Sequence, residues 1–143
     1  MSITQDTFEA LMGLRKRFSD SSELSLGKNW TRDIESVLSK DKFQLDYRSG
    51  KIEIRKYSLN HRTRTSVVLV RYCSLKRHTN PDGTVFDGAH IHVFFEGFDD
   101  KIALKVEDVL KIDPSLATRE EVLAALLKYC NIEEPAIQAV LEA

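Results

Sequence analysis

Two cysteines, three prolines, six glycines and one tryptophan in 143 residues leave several protein classes without their raw material. Cys73 and Cys130 are too few for a disulfide scaffold or a four-cysteine zinc site, which makes a reducing cytoplasm the expected compartment. The scarcity of glycine and proline excludes collagen-like and low-complexity chains, and neither a linker nor an internal repeat divides the sequence. Long apolar runs are missing too. The stretch Ser66-Val67-Val68-Leu69-Val70 is far short of the roughly 20 residues that span a bilayer, so no membrane association is expected. The start, Met1-Ser2-Ile3-Thr4-Gln5-Asp6, has neither the basic opening nor the apolar stretch of a signal peptide. There is no Gly-rich phosphate loop, no nucleophile elbow around a serine, and no Cys-x-x-Cys pair.

What is present is ordinary soluble composition, 42% apolar and 30% charged, in a length that suits one domain over residues 1–143. The net charge of -1 conceals an uneven layout. Residues 48–77 carry nine basic side chains and a single acid, Glu53, whereas residues 96–143 come to -6. The middle of the chain is therefore suited to a polyanion, and the C-terminal part would repel one.

Periodicity divides the chain into a helical segment (1–40), a sheet segment (43–106) and a second helical segment (117–143). Phe8, Leu11, Met12 and Phe18 predict a helix over about 4–19, and Ile34, Val37 and Leu38 predict another over about 30–40. Phe43, Leu45 and Tyr47 then alternate with polar residues, as do Ile52 and Ile54 after Ser49-Gly50, which reads as a β-hairpin. Residues 65–75, 89–96 and 101–106 predict three more strands. Thr118 with Glu121 fits a capping box opening a helix through Cys130, and Pro135 with Ile137, Val140 and Leu141 predicts a short final helix. The expected fold is α+β: an antiparallel meander of four to five strands, with two N-terminal and two C-terminal helices packed on one face.

Residues 71–97 are the densest in chemistry-bearing side chains. Period-2 geometry places His90, His92, Phe94 and Glu96 on one face of a strand, and Val67, Leu69, Arg71 and Cys73 on one face of the strand before it. If these strands pair, the connector over 76–88, with its Asn80-Pro81-Asp82-Gly83 turn, returns His78 to the strand ends, and Arg71 or Tyr72 comes to lie beside His90 and His92. Two imidazoles and a guanidinium are the groups that metal-independent RNA cleavage requires. One imidazole removes the 2′-hydroxyl proton, the other protonates the leaving 5′-oxygen, and the arginine stabilises the phosphorane. In this reading His90 and His92 are acid and base, His78 assists, Arg71 stabilises charge, and Tyr72 and Asn80 position substrate. Arg48, Lys51, Arg55, Lys56, Arg62, Arg64, Lys76 and Arg77 would hold the nucleic acid or another partner, with Tyr47, Tyr57 and Tyr72 offering stacking surfaces. The bland alternative leaves His90 and His92 as solvent-facing strand residues and His78 as a turn cap.

No cofactor is needed for that chemistry. The alternative is a metal: His90, His92 and Glu96 match part of the first cupin motif, and a lone zinc site on them is the more compact version. Cys73 and Cys130 read as buried small apolar residues.

The strings Val70-Arg71-Tyr72-Cys73, His78-Thr79-Asn80-Pro81-Asp82-Gly83, His90-Ile91-His92 and Glu96-Gly97-Phe98, with Tyr129-Cys130-Asn131-Ile132 later, resemble a family of small bacterial proteins of unknown function, over most of the chain from about 43 onward. More loosely, an Arg-Tyr strand, a His-bearing turn and a His-x-His strand are similar to TumE-like toxins of toxin–antitoxin pairs. That second resemblance implies a small cytoplasmic toxin acting on RNA and neutralised by an antitoxin. The leading expectation is thus a toxin-like endoribonuclease. The second is a non-catalytic binding module, such as a phage- or plasmid-encoded inhibitor of a host defence complex acting through the basic 48–77 region. The third is a small zinc protein. RNA, an antitoxin or a defence-complex protein are the corresponding partners. The oligomeric state is open, a dimer included.

Overall fold

A computed structural model describes residues 2–53 and 55–138. Its centre is a seven-stranded antiparallel sheet in the order β1-β3-β4-β5-β6-β7-β8: β1 Lys16–Phe18, β3 Trp30–Ser36, β4 Lys42–Ser49, β5 Tyr57–Thr63, β6 Val68–Thr79, β7 Val85–Val93 and β8 Ala103–Leu104. A short parallel pair, β2 Leu24–Ser25 with β9 Ile137–Gln138, lies apart from it. The helices are α1 Gln5–Gly13, α2 Val106–Leu110 and α3 Arg119–Tyr129. None of them is long and apolar enough to cross a membrane.

The α+β class agrees with the sequence pattern, but the strand number and helix arrangement differ. The helix expected over 30–40 is strand β3. Its apolar triplet misleads because Leu38 lies outside the element and is 91% exposed, while Ile34 faces Phe43 across the β3–β4 ladder. Pairing on both edges of β3 outweighs a weak helical period. The first helix ends at Gly13, because residues 16–18 are recruited as edge strand β1 with Phe18 buried. The hairpin expected across Ser49-Gly50 is not what the described residues form: β4 pairs with β5, and residues 50–53 and 55–56 lie in neither strand. This connection returns onto Gly50, whose N–H donates to the Lys56 carbonyl (2.7 Å). A Cβ on Gly50 would lie 2.5 Å from the Glu53 carbonyl oxygen, so only glycine fits this close approach. Ile52 is fully exposed, and Ile54 lies outside the described residues. In place of the final helix, residues 137–138 form β9. Val140 and Leu141 fall outside the described residues.

Other local signals match. Thr118 accepts from the Glu121 N–H (3.2 Å) and the Glu121 carboxylate accepts from the Thr118 N–H (3.0 Å), closing the capping box that starts α3. At the β6–β7 turn, Gly83 takes φ +93°, and the Asn80 N–H bonds the Thr84 carbonyl (2.8 Å).

The two sheet faces differ in chemistry. On one face Tyr47, Leu59, Tyr72 and Ile91 lie in register across β4–β7, with Leu45, His61 and Val70 in the next row. These residues share a hydrophobic core with Val122, Leu123, Leu126 and Leu127 of α3. Arg119 of α3 donates to the Tyr47 hydroxyl (2.7 Å) and lies over the Tyr57 ring. Phe8 of α1 packs on Phe94, just beyond β7. Within this core His61 is fully buried beside Phe43, and neither ring nitrogen makes a well-formed hydrogen bond, the Gln44 backbone giving only a weak contact. Burial drives its pKa down to about 3, so it is a neutral imidazole. Lys16 is also buried. Its ammonium donates to the carbonyls of Met12 (3.3 Å), Leu14 (3.0 Å) and Cys130 (2.8 Å), and desolvation lowers its pKa to about 8.

Candidate functional site

The opposite face of the sheet is polar from β4 to β7. Cross-strand register sets Asp46, Asn60, Arg71 and His92 in one row and Arg48, Ser58, Cys73 and His90 in the next. The alternation that sends Tyr72 and Ile91 into the core therefore sends Arg71, Cys73, His90 and His92 to this side.

After Cys73 the β6–β7 register shifts, so that Lys76 rather than Leu75 is the next paired residue, opposite Gly88. Gly88 sits at φ +118°. With this bulge the distal hairpin bends, and the His78 ring lies 4.6 Å from that of His92 and 5.6 Å from that of His90. The His90 and His92 rings are 4.9 Å apart. The loop after β7 supplies the other wall. The His92 Nδ1 meets the Asp100 carbonyl oxygen (2.8 Å), the Asp100 carboxylate pairs with Arg71 (3.1 Å), and His78 Nε2 meets both the Lys101 carbonyl (2.9 Å) and Asn80 Oδ1 (2.9 Å). Asn80 is a clamp: its amide donates to the Ala103 carbonyl (2.9 Å) and accepts from the Ala103 N–H (2.8 Å). These partners account for the order of a segment that has little regular structure of its own.

The histidines are not the solvent-facing residues of the bland alternative. His90 is 0% exposed, His92 is 2% exposed, and His78 is half-buried. Burial, reinforced by the nearby Arg71 charge, lowers the His92 pKa to about 3. Burial is also the main cause of the depressed pKa of His90. Both are neutral at physiological pH, and the carbonyls bound at Nδ1 identify that nitrogen as the protonated one. Nε2 is left as a lone pair on each ring. The His90 Nε2 is buried and has no partner. Cys73, the cross-strand neighbour of His90, is buried as well, and its thiol pKa is raised by that burial. One donor atom each from Cys73, His90 and His92 lies within 4.8 Å of the others.

Beside this cluster is a cleft of about 470 Å³, lined by Arg48, Lys56, Arg71 and Lys76, by Ser49, Ser58 and Ser74, and by Tyr57 and Cys73, with no acidic residue in its wall. Arg48 contributes its stem, because its guanidinium is held by the Trp30 and Tyr47 carbonyls and the Thr31 hydroxyl. Lys56 and Lys76 have no acidic partner among the described residues. The Nε of Arg71 is buried without a hydrogen-bond partner.

Several residues expected at the site stand elsewhere. Tyr72 faces the core, 2% exposed and 5.6 Å from the Tyr57 ring, because it is one residue out of phase with Arg71 and Cys73. Tyr47 and Tyr72 are buried in the core, and of the three tyrosines only Tyr57 reaches the cleft wall. Glu96 lies beyond the end of β7, exposed, with its carboxylate accepting from the Gln5 N–H (2.6 Å). It is not among the residues grouped around His90 and His92. Of the basic set, Arg48, Lys56 and Lys76 line the cleft. Arg62 is spent on Asp46 (2.8 Å), Arg55 pairs with Glu53 (3.2 Å), and Arg64 lines a smaller cavity with Ser19, Asp33, Lys42 and Phe43. Lys51 and Arg77 are exposed outside the cleft wall. Cys73, Ser58 and Asp100 belong to the site and carry no motif of their own. The pairing of β5, β6 and β7 brings in Ser58 and Cys73, and the loop after β7 brings in Asp100 through Arg71 and His92.

The profile of a family of unknown function, DUF6978, matches residues 3–132. The match bears out membership of a family of unknown function over most of the chain, and neither the individual motifs nor the resemblance to TumE-like toxins is supported by it. No curated protein and no solved structure shows a match to the chain.

Proposed function

The chain belongs to the DUF6978 family of unknown function, so its activity has to be argued from its own side chains, and we propose that it is an RNA-binding module that seats a phosphate-bearing segment of single-stranded RNA in the basic cleft. The observation that carries this reading is the cleft wall: Lys56, Lys76 and Arg71 converge on a concave, nucleotide-sized space with serine hydroxyls between them and no carboxylate. Lys56 and Lys76, which have no acidic partner among the described residues, release counterions on meeting phosphate, Arg71 reaches it while paired with Asp100, and hydroxyls complete the hydrogen bonding. A concavity of this size suits an inserted nucleotide better than the flatter contact of an acidic protein partner.

Binding fits the histidines better than cleavage does. A general acid and base must reach the ribose and exchange protons near neutral pH. His90 and His92 lie beneath the surface, and the His92 pKa is held at about 3.

Fluorescence anisotropy with a labelled single-stranded oligoribonucleotide tests this. The full chain should bind with strong salt dependence. Lys56→Glu with Lys76→Glu should weaken binding at least about tenfold and make the log–log salt slope shallower by roughly 1.4, about 0.7 for each phosphate that is no longer neutralised. The recovered oligonucleotide should be intact on a gel. No binding at low salt overturns the proposal, as does binding that ignores the double charge reversal. A preference for polyglutamate over RNA overturns it in favour of an acidic protein partner, and cleavage abolished by His90→Ala overturns it in favour of a ribonuclease.

A further inference from the structure

We propose that Cys73, His90 and His92 form a zinc site, with Cys73 Sγ and the two Nε2 atoms as ligands. Antiparallel pairing makes Cys73 and His90 direct neighbours across β6–β7, and His92 follows on the same face, so the three donors come from two rigid strands. The Cys73 Sγ and one ring nitrogen of each histidine already lie within 4.8 Å of one another. With bonds of about 2.0–2.1 Å to nitrogen and 2.3 Å to sulfur in a tetrahedral arrangement, a pair at that limit has to close by about 1.2–1.5 Å.

The surrounding contacts are those a metal-binding imidazole needs. His90 Nδ1 donates to the Gly88 carbonyl (3.0 Å) and His92 Nδ1 to the Asp100 carbonyl (2.8 Å). Each bond fixes the ring and its tautomer, presenting an Nε2 lone pair. On His90 that lone pair is fully buried and unsatisfied, a costly state for an acceptor unless a ligand completes it. One thiolate and two imidazoles are a borderline-soft set that selects zinc over magnesium or calcium. On binding, the Cys73 S–H bond breaks, the S–Zn bond forms, and the proton goes to solvent. Three protein ligands would leave a fourth position open, and one of the three, Cys73, also lines the cleft wall.

The test uses the full chain produced without a His-tag, stripped with a chelator and titrated with Zn²⁺ and Co²⁺. We expect one metal per chain by elemental analysis, a rise in melting temperature with Zn²⁺, and a sulfur-to-cobalt charge-transfer band in the near ultraviolet with Co²⁺. Cys73→Ser should remove that band, and His90→Gln should weaken Zn²⁺ binding at least about tenfold, in the range by which ligand-shell changes act. Glu96→Gln should leave both unchanged. Substoichiometric binding overturns the proposal, as does a Co²⁺ complex of the unsubstituted chain without the sulfur band. That measurement on the unsubstituted chain decides the matter even if a variant fails to fold. RNA affinity is a separate readout, so either proposal can fail alone.

Discussion

Arg71 and Tyr72 are consecutive residues of one strand, yet they belong to different physical regimes. Tyr72 packs into a row of aromatic rings, with Tyr57 5.6 Å away and Tyr47 a further 6.2 Å from Tyr57, above the apolar face of α3. Arg71 faces the polar side, where its neighbours are a carboxylate, two imidazoles and a cleft. The same division separates the buried histidines. His61 on the core face makes no well-formed hydrogen bond, while His90 and His92 on the other face each have one nitrogen held and the other presented. Burial alone therefore says little about role. What distinguishes the two faces is whether the buried polar atoms are oriented by partners.

The comparison can be broken at several strengths. The largest effect should come from Tyr72→Ala, at a cost of about 3–5 kcal/mol in urea unfolding, because it opens a cavity in the aromatic row. Arg71→Ala should cost under about 1 kcal/mol, since its ion pair with Asp100 is about one-third exposed on each side. Equal losses at the two positions would erase the distinction between the faces. The next effect is a pH dependence. A histidine whose folded-state pKa is about 3 and whose unfolded value is about 6.5 binds more protons when unfolded, so stability should fall as pH drops from about 6.5 toward 3. His61→Leu should shrink that acid limb and raise stability at pH 7 by about 1–2 kcal/mol, because it removes an unsatisfied polar ring from the core. An unchanged acid limb would mean that His61 is not held neutral. The last effect lies outside both faces. Thr118→Ala should cost about 1 kcal/mol by removing the cap of α3 while leaving RNA and metal binding intact.

The sequence is most informative where the signal is local. The capping box at Thr118, the Asn80–Gly83 turn and the alternation through residues 89–93 can each be read within a few residues, because local hydrogen bonds and steric limits determine them. Strand β3 and the connection from β4 to β5 cannot be read this way. Ile34, Val37 and Leu38 carry a helical period that tertiary pairing overrides, and Ile52 carries a strand alternation that the connection leaves exposed. The candidate site divides along the same line. The three histidines and Arg71 are legible as a cluster. Cys73 and Asp100 are not, because their part depends on which residues of β6, β7 and the following loop come to lie beside one another.

Lys16 has a consequence for the order in which the molecule can be completed. Its ammonium caps the carbonyl of Cys130, its N–H bonds the Asn131 carbonyl, and its own carbonyl accepts from Glu133. Strand β1 can pair with β3 as soon as residue 36 has been made, but at Lys16 its other edge is completed by residues more than a hundred positions downstream. The carbonyl that caps the Lys16 ammonium most closely is among them, so the burial of this charge is complete only when residues 130–133 have been made.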